Sequence, residues 1–290
     1  MSNFVILTES ASDVPSFVRK ELGIEVYKVP VMIDEQPYDY NVEIDDGFVD
    51  FYGKLKSGSV VKTAAVSPFG YREIIEEYFK QGKDILYVAY SGAISNALEY
   101  YKQAASELMQ EYPERKALLA DTLSLAYGSG MLVVEAAKML KEGKTAEEII
   151  AYVDEAKFHT AVCFTPETLT YLKRGGRLSG AAAMIGNMLN LKPILAIGDN
   201  GKLESQYKVS GRKKSLLALL NEVERLGENL NDREFCVVHA ACEDDAKFLA
   251  EQAKQKFNLK SVNIYSVGPV IGAHCGPGTI GIAFNAKKRV

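Results

Sequence analysis

Hydroxyl side chains near the ends of two predicted strands could hold an anionic group. Thr63 lies in the apolar segment at residues 60–65, and Ser91 and Ser95 follow the continuous apolar run at residues 84–90. A hydroxyl can donate a hydrogen bond without carrying charge. Serine and threonine are also common at helix caps and turns, so each of the three could instead be structural.

A glycine-rich segment at residues 268–278, GPVIGAHCGPG, contains a histidine. We predict a loop here, because glycines at this density, Gly272 among them, let backbone N–H groups approach a ligand closely. His274 would add a side chain that can donate a hydrogen bond. The neighbouring Cys275 could suggest a thiol nucleophile, but adjacent residues of an extended segment point to opposite sides. We therefore expect no catalytic Cys–His pair.

The segment from Tyr171 to Ile197 joins a basic turn to an apolar stretch. Its cations surround a glycine pair at residues 175–176, and they are Lys173, Arg174 and Arg177. Between Gly180 and Asn190 nearly every residue is small or apolar, including Ala182, Ile185, Gly186 and Leu189. A surface helix needs a polar face, so this predicted helix is either packed in the interior or one wall of an apolar cavity. Cations beside such a wall suit an anionic head with an apolar tail.

Strands and helices alternate along the first 125 residues. We predict strands at residues 4–7, 24–33, 60–65, 84–90 and 116–120. This alternation is typical of an open parallel sheet with helices on both faces. Ligands of such sheets gather beyond the carboxyl ends of the strands. The polar residues expected at that edge are Ser10, Thr63, Ser91, Ser95 and Asp121.

A polar helix at residues 145–157 is predicted to connect two domains, which comprise residues 1–157 and 158–290. The second domain alternates strands with helices at residues 212–226 and 244–257, and Asn200-Gly201 favours a tight hairpin turn. We therefore predict a two-domain α/β protein. Its N-terminal domain would hold the parallel sheet, and its C-terminal domain a mixed sheet.

The composition argues against several functions. The 290 residues carry a formal net charge of −4, which does not favour binding to nucleic acid or an anionic membrane surface. Four cysteines without a C-x-x-C pair indicate reduced thiols in a cytoplasmic protein, and the N-terminus shows no signal-peptide pattern. The segment ending in Gly143-Lys144-Thr145 lacks the first glycine of a phosphate loop, where Lys138 stands. We expect no metal and no cofactor.

Six segments occur in the order and spacing of the DegV family, which this sequence resembles over essentially its whole length. They are TESASDVP, KTAAVSP, YSGAISNAL, LADTLSLAYGSG, YLKRGGRLSGAAAMIGNMLNLKPIL and GPVIGAHCGPGTIGI. The family is typified by the fatty-acid-binding subunit of bacterial fatty acid kinase. The resemblance implies two α/β domains that bury one long-chain fatty acid at their interface, with only transient membrane contact and no catalysis by this subunit. A separate soluble, ATP-dependent kinase would convert the carboxylate to an acyl phosphate for phospholipid synthesis.

The resemblance also implies roles for individual residues at the acid end of the ligand. Thr63 looks like the family's carboxylate-binding threonine, and Ser95 looks like its carboxylate-binding serine. His274 is similar to the family's histidine in the glycine-rich segment. Departures at Ala64 and around Ser95 bear on phosphotransfer and on chain-length preference more than on lipid binding.

The basic residues match the family's pattern in part. Arg174 and Arg177 correspond to the RGGR turn, which the resemblance implies faces the kinase or its phosphates. Ser210 stands where the family often has an arginine, so Arg212 is the nearer cation.

Two other functions stay open on the sequence alone. A stand-alone hydrolase or transferase would use Ser95, His274 and Asp121 at the domain cleft, and it requires a nucleophile within reach of a base. A nucleotide-binding regulator built on the first α/β domain would need a phosphate loop.

Overall fold

The computed structural model describes residues 3–44, 47–178 and 190–290. Its strands are β1 (Phe4–Glu9), β2 (Ile24–Tyr27), β3 (Val31–Ile33), β4 (Gln36–Pro37), β5 (Val61–Thr63), β6 (Asp84–Ala89), β7 (Ala117–Asp121), β8 (Thr160–Thr165), β9 (Leu191–Ile197), β10 (Leu203–Ser210), β11 (Cys236–His239), β12 (Asn263–Ser266) and β13 (Ile280–Asn285). Its α-helices are α1 (Ser16–Leu22), α2 (Val49–Lys56), α3 (Pro68–Lys80), α4 (Ala97–Glu111), α5 (Ala126–Lys141), α6 (Ala146–Ala156), α7 (Thr170–Arg174), α8 (Arg212–Leu226), α9 (Glu243–Phe257) and α10 (Pro269–Cys275). Within these ranges, no helix combines the length and the apolar character needed to cross a membrane.

Four parallel strands form the first sheet, in the order β2-β1-β6-β7. Its two faces are covered by different helices, because successive side chains of a strand point to opposite sides. In β1, Ile6 packs into a core with α5 and α6, whereas Leu7 packs into the core with α3 and α4. The predicted open parallel sheet with helices on both faces is confirmed.

The second sheet has six strands in the order β10-β9-β8-β13-β11-β12. Only the pair β11–β12 is parallel among its neighbouring strands, so the sheet is mixed, as predicted. The Asn200-Gly201 turn joins β9 to β10 in an antiparallel hairpin, with Gly201 at φ +73°. All strands of this sheet follow residue 158, and the domain division at that position stays a prediction.

Two of the strands predicted for the parallel sheet are wrong. Residues 24–33 form two strands in different sheets, and the strand predicted at residues 60–65, β5, is not part of the parallel sheet. β2 ends at Tyr27, and β3 pairs antiparallel with β5 in a small sheet of order β4-β3-β5. Pro30 lies between them, and proline has no N–H group to continue a ladder. The small sheet places Thr63 opposite Val31.

The predicted glycine-rich loop is also wrong, since residues 269–275 form the helix α10. Pro269 occupies its first turn, where a missing N–H group is tolerated. The N–H group of Gly272 donates to the carbonyl of Gly268 at 2.8 Å, so it is used within the helix. A Cβ at Gly272 would lie 2.6 Å from the hydroxyl oxygen of Tyr52, which shows that this glycine permits close packing.

The predicted helix between residues 180 and 190 lies almost wholly outside the described residues. The same holds for four predicted cavity residues: Ala182, Ile185, Gly186 and Leu189. The following strand, β9, begins at Leu191 and contains Pro193. Pro193 pairs with Lys208 of β10, whereas β8 pairs with β9 only at residues 195 and 196. The proline therefore lies in the part of β9 that has one strand partner.

Candidate functional site

A cavity of about 210 Å³ lies between the parallel sheet and the mixed sheet. Its walls are mostly apolar and come from both halves of the chain. The mixed sheet contributes Val162, Phe164, Val238 and Gly281, and α10 contributes Val270, Ile271 and His274. The first half contributes Tyr27, Tyr71, Tyr90 and Ala97. An apolar cavity with a few polar groups is the usual form of a small-molecule site.

Four predicted polar residues are brought together in the lining of this cavity: Thr63, Ser95, Arg177 and His274. Thr63 lies at the end of β5 and His274 lies in the last turn of α10, and 211 positions separate the two residues in sequence. Thr63 Oγ1 and His274 Nε2 are 2.8 Å apart and share a hydrogen bond. The exposed residues Ala64 and Ala65 follow Thr63 in the lining, so this group lies near the opening to solvent.

His274 is neutral at physiological pH. Burial, followed by the nearby Arg177 guanidinium, lowers the pKa of His274 from 6.5 to about 4. Its Nδ1 atom is buried and has no hydrogen-bond partner among the described residues. A buried N–H group without an acceptor is rarer than a lone pair without a donor, which favours the tautomer protonated on Nε2. In that tautomer His274 donates to Thr63, and the hydroxyl proton of Thr63 is free for a ligand.

The basic turn packs directly against His274. A Cβ at Gly175 would lie 2.1 Å from His274 Nδ1, so only glycine fits at this position. Arg177 donates to the carbonyl of Gly175 at 2.6 Å and to that of Ile94 at 3.4 Å. These bonds hold the guanidinium in the cavity lining, whereas Arg174 is exposed. The acid end of a ligand would thus meet a cation as well as the uncharged donors.

Ser95 lies just before α4 and is fixed by two contacts. Its Oγ accepts a hydrogen bond from the N–H group of Ala97 at 3.2 Å, and its side chain is hydrogen-bonded to the hydroxyl of Tyr90. Burial raises the pKa of Tyr90 to about 12, so this hydroxyl stays protonated. Ser95 therefore contributes a hydroxyl that two contacts hold in place in the cavity lining.

Other predicted residues lie outside the cavity lining. Ser91 is buried and donates to the carbonyl of Gly201 at 2.8 Å. Arg212 forms ion pairs with Asp245 at 2.8 Å and Glu167 at 3.7 Å. Gly272 packs against Tyr52, as described above. The structure thus gives Ser91 and Arg212 contacts that hold the fold together.

The geometry of a hydrolytic triad is not formed by the three residues considered for it. His274 Nε2 is bonded to Thr63 and not to Ser95. Asp121 accepts hydrogen bonds from the N–H groups of Leu123 at 2.7 Å and Gly92 at 3.3 Å. Both of its carboxylate oxygens therefore bind backbone groups of nearby loops. Within the described residues, no group of three or more His, Cys, Asp or Glu side chains is arranged to hold a metal ion.

Sequence reasoning missed a cluster of tyrosines at the cavity wall. Tyr27 and Tyr71 line the cavity, and their hydroxyls are 2.6 Å apart. Tyr27 also donates to Glu9 at 3.3 Å, and Tyr71 is linked to this fully buried acid at the end of β1 through Tyr27. The signal in the sequence is an acidic residue directly after the apolar strand FVILT, where a buried position is expected.

A family model described as "Uncharacterised protein, DegV family" matches residues 3–287 of the chain. A DegV domain-containing protein of Clostridium perfringens is 39% identical over 284 residues, which cover 98% of each chain. A second such protein, from Clostridium acetobutylicum, is 30% identical over 285 residues, again covering 98% of each.

Solved structures of similar proteins share the fold. A DegV family protein from Thermus thermophilus, described as binding fatty acid, superposes with a TM-score of 0.85 at 28% identity, covering 98% of this chain and 99% of that one. A DegV lipid binding protein from Thermotoga maritima superposes with a TM-score of 0.85 at 26% identity, covering 100% of both chains.

Proposed function

The chain belongs to the DegV family, and we propose that it binds one long-chain fatty acid in the cavity between its two sheets. One observation carries the proposal: the mostly apolar cavity has Thr63, Ser95, Arg177 and His274 in its lining near the opening. Such an arrangement suits an anionic head and an apolar tail. Similar proteins of known structure are described as binding fatty acids or lipids.

The acid end of the ligand would be held by hydrogen bonds near the cavity opening. A carboxylate removed from water is strongly destabilised unless it is hydrogen-bonded. Thr63 offers a free hydroxyl proton when His274 donates to it, and Ser95 offers a second polar group. Arg177 supplies a positive charge, but its bonds to two carbonyls keep it from closing on the carboxylate as a bidentate clamp. The carboxylate oxygen would therefore stay reactive.

The apolar tail would supply most of the affinity. At roughly 0.8 kcal/mol per buried CH₂ group, about 15 methylenes contribute on the order of 12 kcal/mol before binding entropy is counted. A single hydrogen bond to the head contributes only about 1 to 2 kcal/mol. A cavity of about 210 Å³ is smaller than most ligand sites. We expect wall side chains to repack around a full-length chain.

The protein would act as a carrier that presents the carboxylate to a separate soluble, ATP-dependent kinase, which forms the acyl phosphate. Arg174 is exposed and adjoins Gly175, which packs against His274, so we expect this cation to face that kinase or its phosphates, together with Arg177 of the cavity lining. Arg212 is a weaker candidate, because its charge is already paired with Asp245 and Glu167.

Exposed apolar side chains near the opening support brief contact with a membrane during loading. Phe69, in the first turn of α3, is 69% exposed and follows the lining residue Val66 closely in sequence. Val60, just before β5, is 48% exposed. We expect the carrier to work in the cytoplasm and to touch the bilayer only while it takes up or releases its ligand.

The geometry gives little support to the competing hydrolase. A general base works best with a pKa near the operating pH, and the pKa of His274 is lowered to about 4. His274 is also bonded to Thr63 rather than to Ser95. The sulfur of Cys275 is no better placed, because burial raises the pKa of this thiol to about 12.

Binding can be tested by titrating delipidated protein with a C16 fatty acid and with the matching C16 alcohol. We expect the acid to bind more tightly than the alcohol, and Thr63→Ala to reduce that difference while both ligands still bind. Failure of both ligands to bind would contradict the proposal. Incubation of loaded protein with ATP should give acyl phosphate only when the kinase is added, and turnover without it would favour an enzyme.

A further inference from the structure

Glu9 is an ionisable group buried directly behind the cavity wall. It ends β1 and is 0% exposed. Its Oε2 accepts hydrogen bonds from the hydroxyls of Tyr87 and, at 3.3 Å, Tyr27. Its Oε1 accepts from the backbone N–H group of Tyr90 at 2.8 Å. A fully buried acid is costly to keep charged, so its position beside a ligand cavity calls for a functional explanation.

The tyrosine hydroxyls around Glu9 form a chain that leads to the cavity. Tyr71 and Tyr27 hydroxyls are 2.6 Å apart, and Tyr27 and Tyr87 hydroxyls are 2.7 Å apart. Both Tyr71 and Tyr27 belong to the cavity lining. A continuous path of hydrogen bonds therefore runs from the Glu9 carboxyl through Tyr87 and Tyr27 to Tyr71 at the cavity wall.

The direction of the hydrogen bonds along this path depends on the charge of Glu9. With Glu9 ionised, Tyr71 donates to Tyr27 and Tyr87 donates to Glu9, while Tyr27 donates either to Tyr87 at 2.7 Å or to Glu9 at 3.3 Å, so all three hydroxyl protons are used. A proton on Glu9 supplies a fourth donor for these contacts. The chain can then reverse, and the hydroxyl proton of Tyr71 is left to point toward the cavity.

Glu9 is also connected to the end of the cavity that would hold the acid. The N–H group of Tyr90 bonds Glu9, and the hydroxyl of the same tyrosine is hydrogen-bonded to Ser95. One residue thus lies between the buried carboxylate and the predicted position of the ligand carboxylate. The length of one tyrosine side chain separates the two contacts, and two negative charges repel each other more strongly across a poorly hydrated interior than across water.

The other groups around Glu9 do not neutralise it. The side chains in direct contact are phenols, from β2 and β6, and the remaining partner is a backbone N–H group. The Arg177 guanidinium lowers the pKa of Tyr90 and of His274, but it is not among the groups that shift the pKa of Glu9. Burial is the largest influence on Glu9 and raises its pKa from 4.5 to about 7, so the group is near half ionised at neutral pH.

We propose that Glu9 is a positioning residue that takes up a proton from solvent when a fatty-acid carboxylate binds at Ser95 and Thr63. The inference rests on the proposed fatty-acid site. Proton uptake removes the repulsion between the two acids and keeps Tyr90, and through it Ser95, in place. The affinity for the fatty acid therefore falls as the pH rises above 7, by up to about tenfold per pH unit.

Isothermal titration calorimetry tests this inference. Delipidated protein is titrated with a C16 fatty acid at pH 7 in two buffers with different ionisation enthalpies, which gives the number of protons taken up. We expect about half a proton per fatty acid for the native protein, because a group with a pKa of about 7 is half ionised there. Glu9→Gln, which resembles the protonated acid, should bind with almost no uptake and with an affinity that is flat between pH 6.5 and 8.

Glu234→Gln is the matched control. Glu234 accepts hydrogen bonds from Tyr127 at 2.5 Å and Tyr265 at 2.8 Å, but it is not part of the cavity lining. This variant should take up the same fraction of a proton as the native protein. Equal uptake in Glu9→Gln and native protein would assign the proton to another group, such as His274, and overturn the inference. Binding without any uptake would also overturn it, whereas absence of binding in the native protein would refute the fatty-acid site itself.

Discussion

On one face of the mixed sheet the side chains pack against α8 and α9, and on the other they line the cavity. Neighbouring residues of a single strand illustrate the difference. In β11, Val237 is 0% exposed and packs into the core with α8 and α9, whereas Val238 borders the cavity. In β8, Cys163 faces the helices and Phe164 faces the cavity.

Both faces are apolar, so apolar character by itself does not decide which face holds a ligand. The difference lies in what covers each face. The side chains of two amphipathic helices, including Leu219 and Leu249, fill the space over one face. The other face is opposite the first half of the chain, and the cavity lies between this face and a wall that includes tyrosines, Thr63 and Ser95. Substitutions on the packed face should therefore change stability, and those on the cavity face should change binding.

The largest expected difference concerns two phenylalanines on adjacent strands. Phe284 is 0% exposed in the packed core, where its ring stacks on that of Phe235 with centroids 6.0 Å apart. Phe284→Ala should lower the free energy of unfolding by about 3–5 kcal/mol. Phe164→Ala should lower it by less than half as much, because Phe164 already borders a void. Denaturant unfolding of the delipidated proteins measures both values. Equal losses would show that the two faces of the mixed sheet do not differ in packing.

The cavity side also carries two titrating groups with opposite effects on stability. The pKa of His274 is lowered to about 4, so stability is lost as the pH falls from 6.5 to 4, by up to about 3 kcal/mol. The pKa of Glu9 is raised to about 7, so stability is lost as the pH rises from 4.5 to 7, by a similar amount. In native protein these two contributions to the free energy of unfolding should nearly cancel between pH 4.5 and 6.5.

Single substitutions should separate these two effects. Glu9→Gln leaves the histidine effect alone, and its stability should fall as the solution is acidified. His274→Gln leaves the glutamate effect, and its stability should fall as the pH rises. Melting temperatures across this pH range provide the measurement, and identical pH profiles for the two variants would show that the assignments are wrong.

A bulky residue on the cavity face should displace the tail. Val238→Trp would take the place of about three methylenes, which corresponds to about 2 kcal/mol, or roughly a thirtyfold loss of fatty-acid affinity. The control is the same substitution at Val237, which overfills the packed core and should lower stability by about 1–3 kcal/mol. Calorimetric titration of the delipidated variants decides the matter. An undiminished fatty-acid affinity in Val238→Trp would show that the tail does not lie against this face.

The smallest expected effect concerns the head group. Thr63→Ala should weaken fatty-acid binding by about 1–2 kcal/mol, near tenfold, since it removes one hydrogen bond while the tail still binds. Thr63→Ser should restore most of the affinity. Ser91→Ala should leave affinity unchanged, because that hydroxyl bonds the carbonyl of Gly201 outside the cavity. A complete loss of ligand from Thr63→Ala would show that the head, not the tail, dominates.

The sequence predicted the sheets better than it predicted the walls of the site. Alternating apolar runs and turn residues identified the parallel sheet and the β9–β10 hairpin, since these patterns are local. The α10 helix was missed because glycines suggested a loop, whereas Gly272 is small in order to pack against Tyr52. The break at Pro30 was missed because apolar residues continue on both sides of it.

The polar end of the site was predicted only in part, for a physical reason. Thr63 and His274 meet across 211 positions of sequence, and no local pattern encodes such a contact. The tight fit of Gly175 against His274 has the same origin. Glu9 was overlooked because its two hydroxyl partners, Tyr27 and Tyr87, come from two separate strands. Long-range packing of this kind becomes visible only when the chain is folded.

Denaturing extraction of freshly purified protein, followed by mass analysis of the extract, tests the central claim most directly. The native protein should release close to one long-chain fatty acid per chain, and Val238→Trp prepared in parallel should release much less. Absence of any acyl chain from the native protein, or equal amounts from both proteins, would contradict a fatty-acid cavity between the two sheets.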